Sequence, residues 1–259
     1  MQHRRSRLMK LSGQHAVIEP DGFTDGAFIL SIGGAEQSHV DLKHPEHIFY
    51  EYLRRIGNII DVVAPAGERL RVLHLGAGAL TLVRYIQATR PGSEQYAVEL
   101  ERELEDFVLK ELPLAPETRL EMHHGDARAQ LAAFRKLPKF DVIVLDVFAG
   151  PEAPPHLTTP DFYAEAARLL GPAGILVVNV GDDPPLTFAR SQVKALQSAV
   201  TDVAALAQES MFTGRYPGNI ILAGGRQAWN PEWTAALLAA GPHPAAVLTG
   251  MDLAAFADG

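Results

Sequence analysis

The sequence predicts an α/β protein built on a Rossmann-like, doubly wound sheet of seven strands, mostly parallel, with a small β-hairpin region ahead of it. Three observations predict it. Short apolar runs alternate with amphipathic stretches through the middle of the chain, which implies βαβ units. The first of those runs leads into a glycine turn and a helix. The last two strands are joined by a short Gly/Pro turn, so the sheet ends in an antiparallel hairpin.

The elements follow in order. Ala16-Val-Ile-Glu and Ala27-Phe-Ile-Leu-Ser-Ile read as short strands, set off by Asp21-Gly22 and Asp25-Gly26 turn signals. From Pro45 to Ile60, Ile48, Tyr52, Ile56 and Ile59 recur at helical spacing. Residues 1–66 therefore form an N-terminal β and helix region, too small for a large core of its own, and 67–259 the main domain. Strand-like runs then begin at Arg71, Gln95, Arg119, Phe140 and Ile175, with helices near 80–89, 101–111, 128–136 and 160–170. The right-handed crossover rule winds such a series around both faces. A helix near 187–207 precedes a hairpin of Glu209-Ser-Met-Phe-Thr and Asn219-Ile-Ile-Leu-Ala. The Ala-rich tail from Trp229 reads as helical packing, with Trp229 and Trp233 one helical turn apart.

Composition bounds the function. The 259 residues carry 23 Lys+Arg against 31 Asp+Glu, a net charge of −8, which argues against a general nucleic-acid binder. There is no cysteine, hence no disulfide, no thiolate nucleophile and no Cys-ligated metal. No apolar run approaches the roughly 18 residues that a membrane span needs. The basic start, Met1 to Arg7, lacks the apolar segment of a signal peptide, so a cytoplasmic protein is expected. His123 and His124 point to opposite faces of a strand and make a poor metal pair. His39, His44 and His47 read as a polar loop, and no metal site is expected.

Four strand ends carry chemistry. Leu73-His-Leu-Gly76-Ala-Gly78-Ala-Leu-Thr81 offers Gly76 for a tight turn, Gly78 for close approach of a ligand, and the free N–H groups of a helix start. A plain strand-to-helix turn would look the same. Glu99 ends the second strand, 23 positions after Gly76, where a carboxylate accepts ribose hydroxyls; the alternative is a solvated glutamate beside Glu101, Glu103 and Glu105. Asp126 in Gly125-Asp126-Ala127 could accept from an adenine amino group, cap the following helix, or both. Asp146 ends Asp141-Val-Ile-Val-Leu-Asp146 at the carboxyl edge of the sheet, where it could position an amine and take its proton, or merely cap a loop. Together these positions favour an S-adenosyl ligand over a dinucleotide.

At this point the chain resembles the spermidine synthases, the polyamine aminopropyltransferases. Gln37-Ser38-His-Val-Asp41, Val72-Leu-His-Leu-Gly-Ala-Gly, Val98-Glu99, Gly125-Asp126-Ala127, Phe140 to Asp146, Leu157-Thr-Thr-Pro-Asp-Phe162-Tyr163 and Arg215-Tyr-Pro-Gly-Asn219 occur in the order seen in that family, over roughly residues 30–225. The likeness implies a class I methyltransferase-like fold, a homodimer, and a metal-free reaction. In it an amine such as putrescine attacks the aminopropyl carbon beside the sulfonium of decarboxylated S-adenosylmethionine, and 5′-methylthioadenosine leaves. By resemblance, Glu99 holds the ribose, Asp126 with Ala127 the adenine, Gly76 and Gly78 the loop around the nucleoside, and Gln37 stands near it. Asp146 matches the first aspartate of the family's Asp-x-x-Asp motif and is the implied base.

The departures define the alternatives. The family's Gly-Gly-Gly-Asp-Gly loop is Gly76-Ala-Gly-Ala-Leu here, so the aspartate that helps hold the donor is replaced by Ala79. The second aspartate of Asp-x-x-Asp is Ala149. The Tyr-His-Glu stretch is Phe49-Tyr50-Glu51, where Tyr50 and Glu51 are the substitutes, Tyr50 in a catalytic role. An S-adenosylmethionine-dependent small-molecule methyltransferase, or a nucleoside-binding homologue without catalysis, fits the same fold.

Overall fold

The computed structural model describes residues 4–147 and 153–259. Strands β1 (Arg5–Leu8), β2 (His15–Pro20), β3 (Ala27–Ile32) and β4 (Ala35–Asp41) form an antiparallel meander in chain order. Helix α1 (Glu51–Val63) leads into the main domain. There β5 (Arg71–Leu75), α2 (Thr81–Thr89), β6 (Glu94–Glu99), α3 (Arg102–Glu111), β7 (Arg119–His124), α4 (Ala127–Phe134), β8 (Phe140–Leu145), α5 (Pro160–Ala167) and β9 (Leu170–Asp182) alternate. Then come α6 (Thr187–Gln197), β10 (Asp202–Gln208), β11 (Gly218–Gly225), α7 (Pro231–Ala240), β12 (Ala245–Leu248) and α8 (Gly250–Asp258).

The large sheet has the order β12-β10-β11-β9-β8-β5-β6-β7. Strands β5 to β9 pair in parallel, while β11 runs antiparallel to β9 and β10 antiparallel to β11. The chain leaves β5 toward β6 and returns to its other side at β8. That reversal opens a crevice at the carboxyl ends of β5 and β8, the place where open α/β sheets bind ligands.

Each face of the sheet is buried. Phe134, Phe140, Phe162 and Tyr163 fill one side. Ile56, Ile59 and Ile60 of α1 join Tyr85 and Ile86 of α2 on the other. A third apolar cluster joins the meander to the main domain: Leu30 and Val40 pack with Ala79, Leu80, Val83 and Phe107. The meander thus rests on the helix that follows the glycine turn.

The expected hairpin of β2 and β3 is present and is flanked by two further strands, β1 and β4. Other expectations shift. Helix α1 starts at Glu51, not Pro45, because Asp41 turns the chain first by accepting from the Lys43 and His44 amides. The stretch expected to be helix through residue 207 ends at Gln197 and becomes β10, and Glu209–Thr213 is a 3-10 turn instead of a strand. Val203 to Ala207 are all buried between neighbouring strands, and a run apolar on both faces has no period to tell strand from helix. The tail supplies an eighth, edge strand, β12, as well as helices, and Trp229 packs edge-on against Trp233 at 5.4 Å between ring centres.

One polar pair lies in the sheet interior. The ring Nε2 of His74 is 3.1 Å from Gln95 Oε1, and the Gln95 amide donates to the Val83 carbonyl. Burial, partly opposed by the Gln95 contact, lowers the His74 pKa to about 4. His74 is therefore neutral when folded, whereas the unfolded chain takes up a proton near the ordinary value of about 6.5. Stability present above that value is lost as pH falls toward 4, by up to about 3 kcal/mol. Urea unfolding at pH 7 and pH 4.5 should show this loss in the wild type and a much smaller one in His74→Gln.

Candidate active site

The glycine turn is shaped by its neighbours. Gly76 has φ +94°, and a Cβ there would lie 2.2 Å from the Asp146 carbonyl oxygen. Its amide donates to Val98, and the Asp146 amide donates to Leu75, so the ends of β5, β6 and β8 are laced together at this residue. Gly78 has φ +51°, and a Cβ there would meet the Ser38 hydroxyl at 2.9 Å. Ser38 Oγ also accepts from the Ala79 amide. On the side where a Cβ would project, Gly78 therefore faces a side chain of β4. Ala79, where the family carries an aspartate, is buried in the apolar cluster under the meander.

Glu99 closes the same turn. It is 9% exposed and accepts from the amides of Ala77 and Glu101 at 3.3 and 3.0 Å. Burial raises its pKa, with those amides opposing. The solvated-glutamate alternative is thereby excluded.

Asp126 is the N-cap of α4. Its Oδ1 accepts from the Ala129 amide, and Ala127 is the buried first residue of the helix. Its Oδ2 is 2.5 Å from His156 Nε2. Partial burial works against its charge, but His156 and the helix amides outweigh this and hold its carboxyl below the ordinary value. An adenine amino group would have to share or displace the His156 contact.

Asp146 follows β8. Its Oδ1 accepts from Asn179 Nδ2 at 2.8 Å, and Asn179 Oδ1 accepts from Asn219 Nδ2 at 2.9 Å. This chain of amides runs across the carboxyl ends of β8 and β9 to the amino end of the antiparallel β11. Burial pushes the Asp146 pKa up to about 6, with Asn179 opposing.

Beside this chain lies a cavity of about 1160 Å³. Its wall includes Gln37, Tyr50, Tyr52, Asn179 and Asn219, together with Glu36, Glu51, Arg55, Asp182 and Asp183. Gln37 and Tyr50 are therefore both on its wall. Asp146 is joined to this wall through its hydrogen bond from Asn179, while Gly76, Gly78, Glu99, Asp126 and Ala127 lie along the other half of the sheet edge. Tyr50 donates to Glu36 Oε2 at 2.8 Å; burial and then Glu36 raise its hydroxyl pKa well above the ordinary tyrosine value. Tyr50 keeps its proton at neutral pH and can donate a hydrogen bond but not accept a proton. Ala149 lies outside the described residues.

Asn179, Asp182, Asp183 and Arg55 escaped the sequence reading. Asn179 was the most findable, as a polar residue interrupting Ile175-Leu-Val-Val-Asn179-Val. Arg55 carries no mark in the sequence, being one polar position among several on an amphipathic helix.

Comparison with known proteins agrees with this geometry. No protein-family profile matches the chain. Among solved structures, a probable spermidine synthase from Corynebacterium glutamicum is 30% identical with a TM-score of 0.89, over 100% of this chain and 95% of that one. A spermidine synthase in complex with the transition-state analogue AdoDATO shares the fold at 15% identity and a TM-score of 0.61, over 89% of this chain and 76% of that one. A curated polyamine aminopropyltransferase from Vibrio vulnificus is 31% identical over 136 residues, which is 52% of this chain and 42% of that relative. The chain thus matches under half of the relative's length.

Two stability outcomes follow. Gly76→Ala should destabilise by more than about 3 kcal/mol, because the methyl group overlaps the Asp146 carbonyl in a left-handed backbone. Asp146→Asn should stabilise at pH 8 by about 1–3 kcal/mol, since it removes a buried charge. The wild-type penalty is relieved as pH falls through about 6 toward the unfolded value, so that gain should fade by pH 4. Thermal and urea unfolding of both variants across pH would check these signs.

Proposed function

Because the chain belongs to the spermidine synthase-like family of polyamine aminopropyltransferases, on a class I methyltransferase-like fold, we propose that it transfers an aminopropyl group from decarboxylated S-adenosylmethionine to a small amine. The observation that carries this reading is Asp146. It is a carboxylate at the sheet's switch point, with a pKa near 6, tied through Asn179 to the wall of a cavity rich in carboxylates.

In this reading the nucleoside lies along the ends of β5, β6 and β7. Glu99 accepts from the ribose hydroxyls, Asp126 and Ala127 face the adenine, and Gln37 stands at the junction with the amine cavity. The acceptor amine lies beside Asp146. Its nitrogen lone pair attacks the methylene carbon next to the sulfonium; the N–C bond forms, the C–S bond breaks, and sulfur keeps the electron pair in neutral methylthioadenosine. Asp146 takes the proton from the new ammonium. A base with a pKa near 6 is charged at neutral pH and ready for this role. Tyr50 steadies Glu36 by hydrogen bonding, and Glu36, Asp182 and Asp183 favour a cationic acceptor. A homodimer and a cytoplasmic setting go with this reading; among the described residues no helix is long and apolar enough to cross a membrane.

A second reading, methyl transfer from S-adenosylmethionine, is favoured by one observation. Ala79 sits in an apolar cluster, so the loop offers no carboxylate to the donor's aminopropyl ammonium.

Calorimetry with decarboxylated S-adenosylmethionine, S-adenosylmethionine and methylthioadenosine separates the two. Tighter binding of the decarboxylated form is expected; preference for the carboxylated form would turn the assignment to methyl transfer. In turnover assays Asp146→Asn should lower kcat by about 10²–10⁴-fold. The wild-type rate should fall as pH drops through about 6, where Asp146 becomes protonated, and this limb should vanish in the variant.

A further inference from the structure

The cavity beside Asp146 holds a cation as well as carboxylates. Arg55 of α1 lies on its wall, yet its side chain is only 6% exposed. A guanidinium has five N–H donors. The described residues account for two: one nitrogen reaches Glu51 Oε2 at 3.2 Å, and another the Pro242 carbonyl at 3.1 Å. The Glu51 side chain is 62% exposed, and a pairing with so exposed a partner is weak and screened by water. A buried guanidinium with spare donors calls for a planar, two-oxygen anion, which it grips in fork geometry.

The carboxylates of the same cavity are differently employed. Asp182 accepts from the amides of Asp183 and Ala189, and Glu36 accepts from Tyr50. They and Asp183 make the remainder of the wall negative, which suits ammonium groups. At about 1160 Å³ the cavity is also larger than a four-carbon diamine requires.

We propose that the acceptor is an α,ω-diamino acid, or a larger amine of that kind, whose carboxylate is seated on Arg55 while its amines face Asp146 and the cavity carboxylates. The proposal rests on the transfer reading and narrows its acceptor. The bond changes are those already described: the distal amine nitrogen takes the aminopropyl carbon, sulfur leaves with its electron pair, and the proton passes to Asp146.

Ornithine and putrescine differ only in the carboxylate and form the matched test. With decarboxylated S-adenosylmethionine as donor, kcat/KM for ornithine should exceed that for putrescine by roughly ten- to a hundredfold, the worth of one charge-assisted contact. Arg55→Gln should shrink that ratio toward one, mainly through the KM for ornithine, and Arg55→Lys should restore part of it. Equal or better use of putrescine by the wild type, or a ratio unchanged in Arg55→Gln, would overturn the proposal. If Arg55→Gln does not fold, the wild-type ratio and Arg55→Lys decide. If neither amine is turned over, the transfer reading fails. Calorimetric binding of the two amines to the wild type then judges the carboxylate seat separately, and ornithine binding no tighter than putrescine would refute it.

Discussion

Gly76 and Asp146 meet where β5 and β8 end side by side, and their packing constrains everything around them. The Asp146 carbonyl occupies the place of a Cβ on Gly76, so the turn into α2 cannot form with another residue there. That turn in turn carries the Ala77 amide to Glu99 and the Ala79 amide to Ser38. The N-terminal meander, β6 and β8 are thereby held to one loop. The glycine does its work inside the protein: it brings the strand ends close enough for carboxylates from separate βαβ units to face one crevice.

The parts of the fold carried by periodic segments were legible. The alternation from Arg71 to Val180 reflects burial on both faces of a parallel sheet, and each helix between has a clear apolar stripe. The Ala-rich stretches were not legible, because Val203 to Ala207 and the tail lack the contrast between faces on which such readings depend. Strand-end positions were legible: Glu99 ends β6, and Asp126 and Asp146 follow the ends of β7 and β8, as the spacing predicts. Residues whose meaning comes from three-dimensional neighbours were not. The packing of Ser38 against Gly78 and that of the Pro242 carbonyl against Arg55 are contacts that no spacing in the sequence announces.

Two kinds of carboxylate coexist along the sheet edge. Glu99 and Asp126 are gripped by backbone amides, which fix their direction and suit them to recognising hydroxyl and amino donors. Among the described residues Asp146 is gripped by one side-chain amide, and it carries the cost of burial in its raised pKa. In the proposed transfer the first kind serves binding and the second proton transfer, a division produced by surroundings rather than by residue type.

The partners of Asp146 have one more consequence. Asn179 and Asn219 are neutral at every pH at which the protein is folded, so the aspartate is oriented by dipoles and has no counter-ion in this chain of contacts. Dissolved salt screens charges facing one another through water far more than it does buried dipoles. The basicity of this carboxylate is therefore set by the fold itself, and it should hold steady across the ionic strengths that would weaken a site tuned by exposed ion pairs.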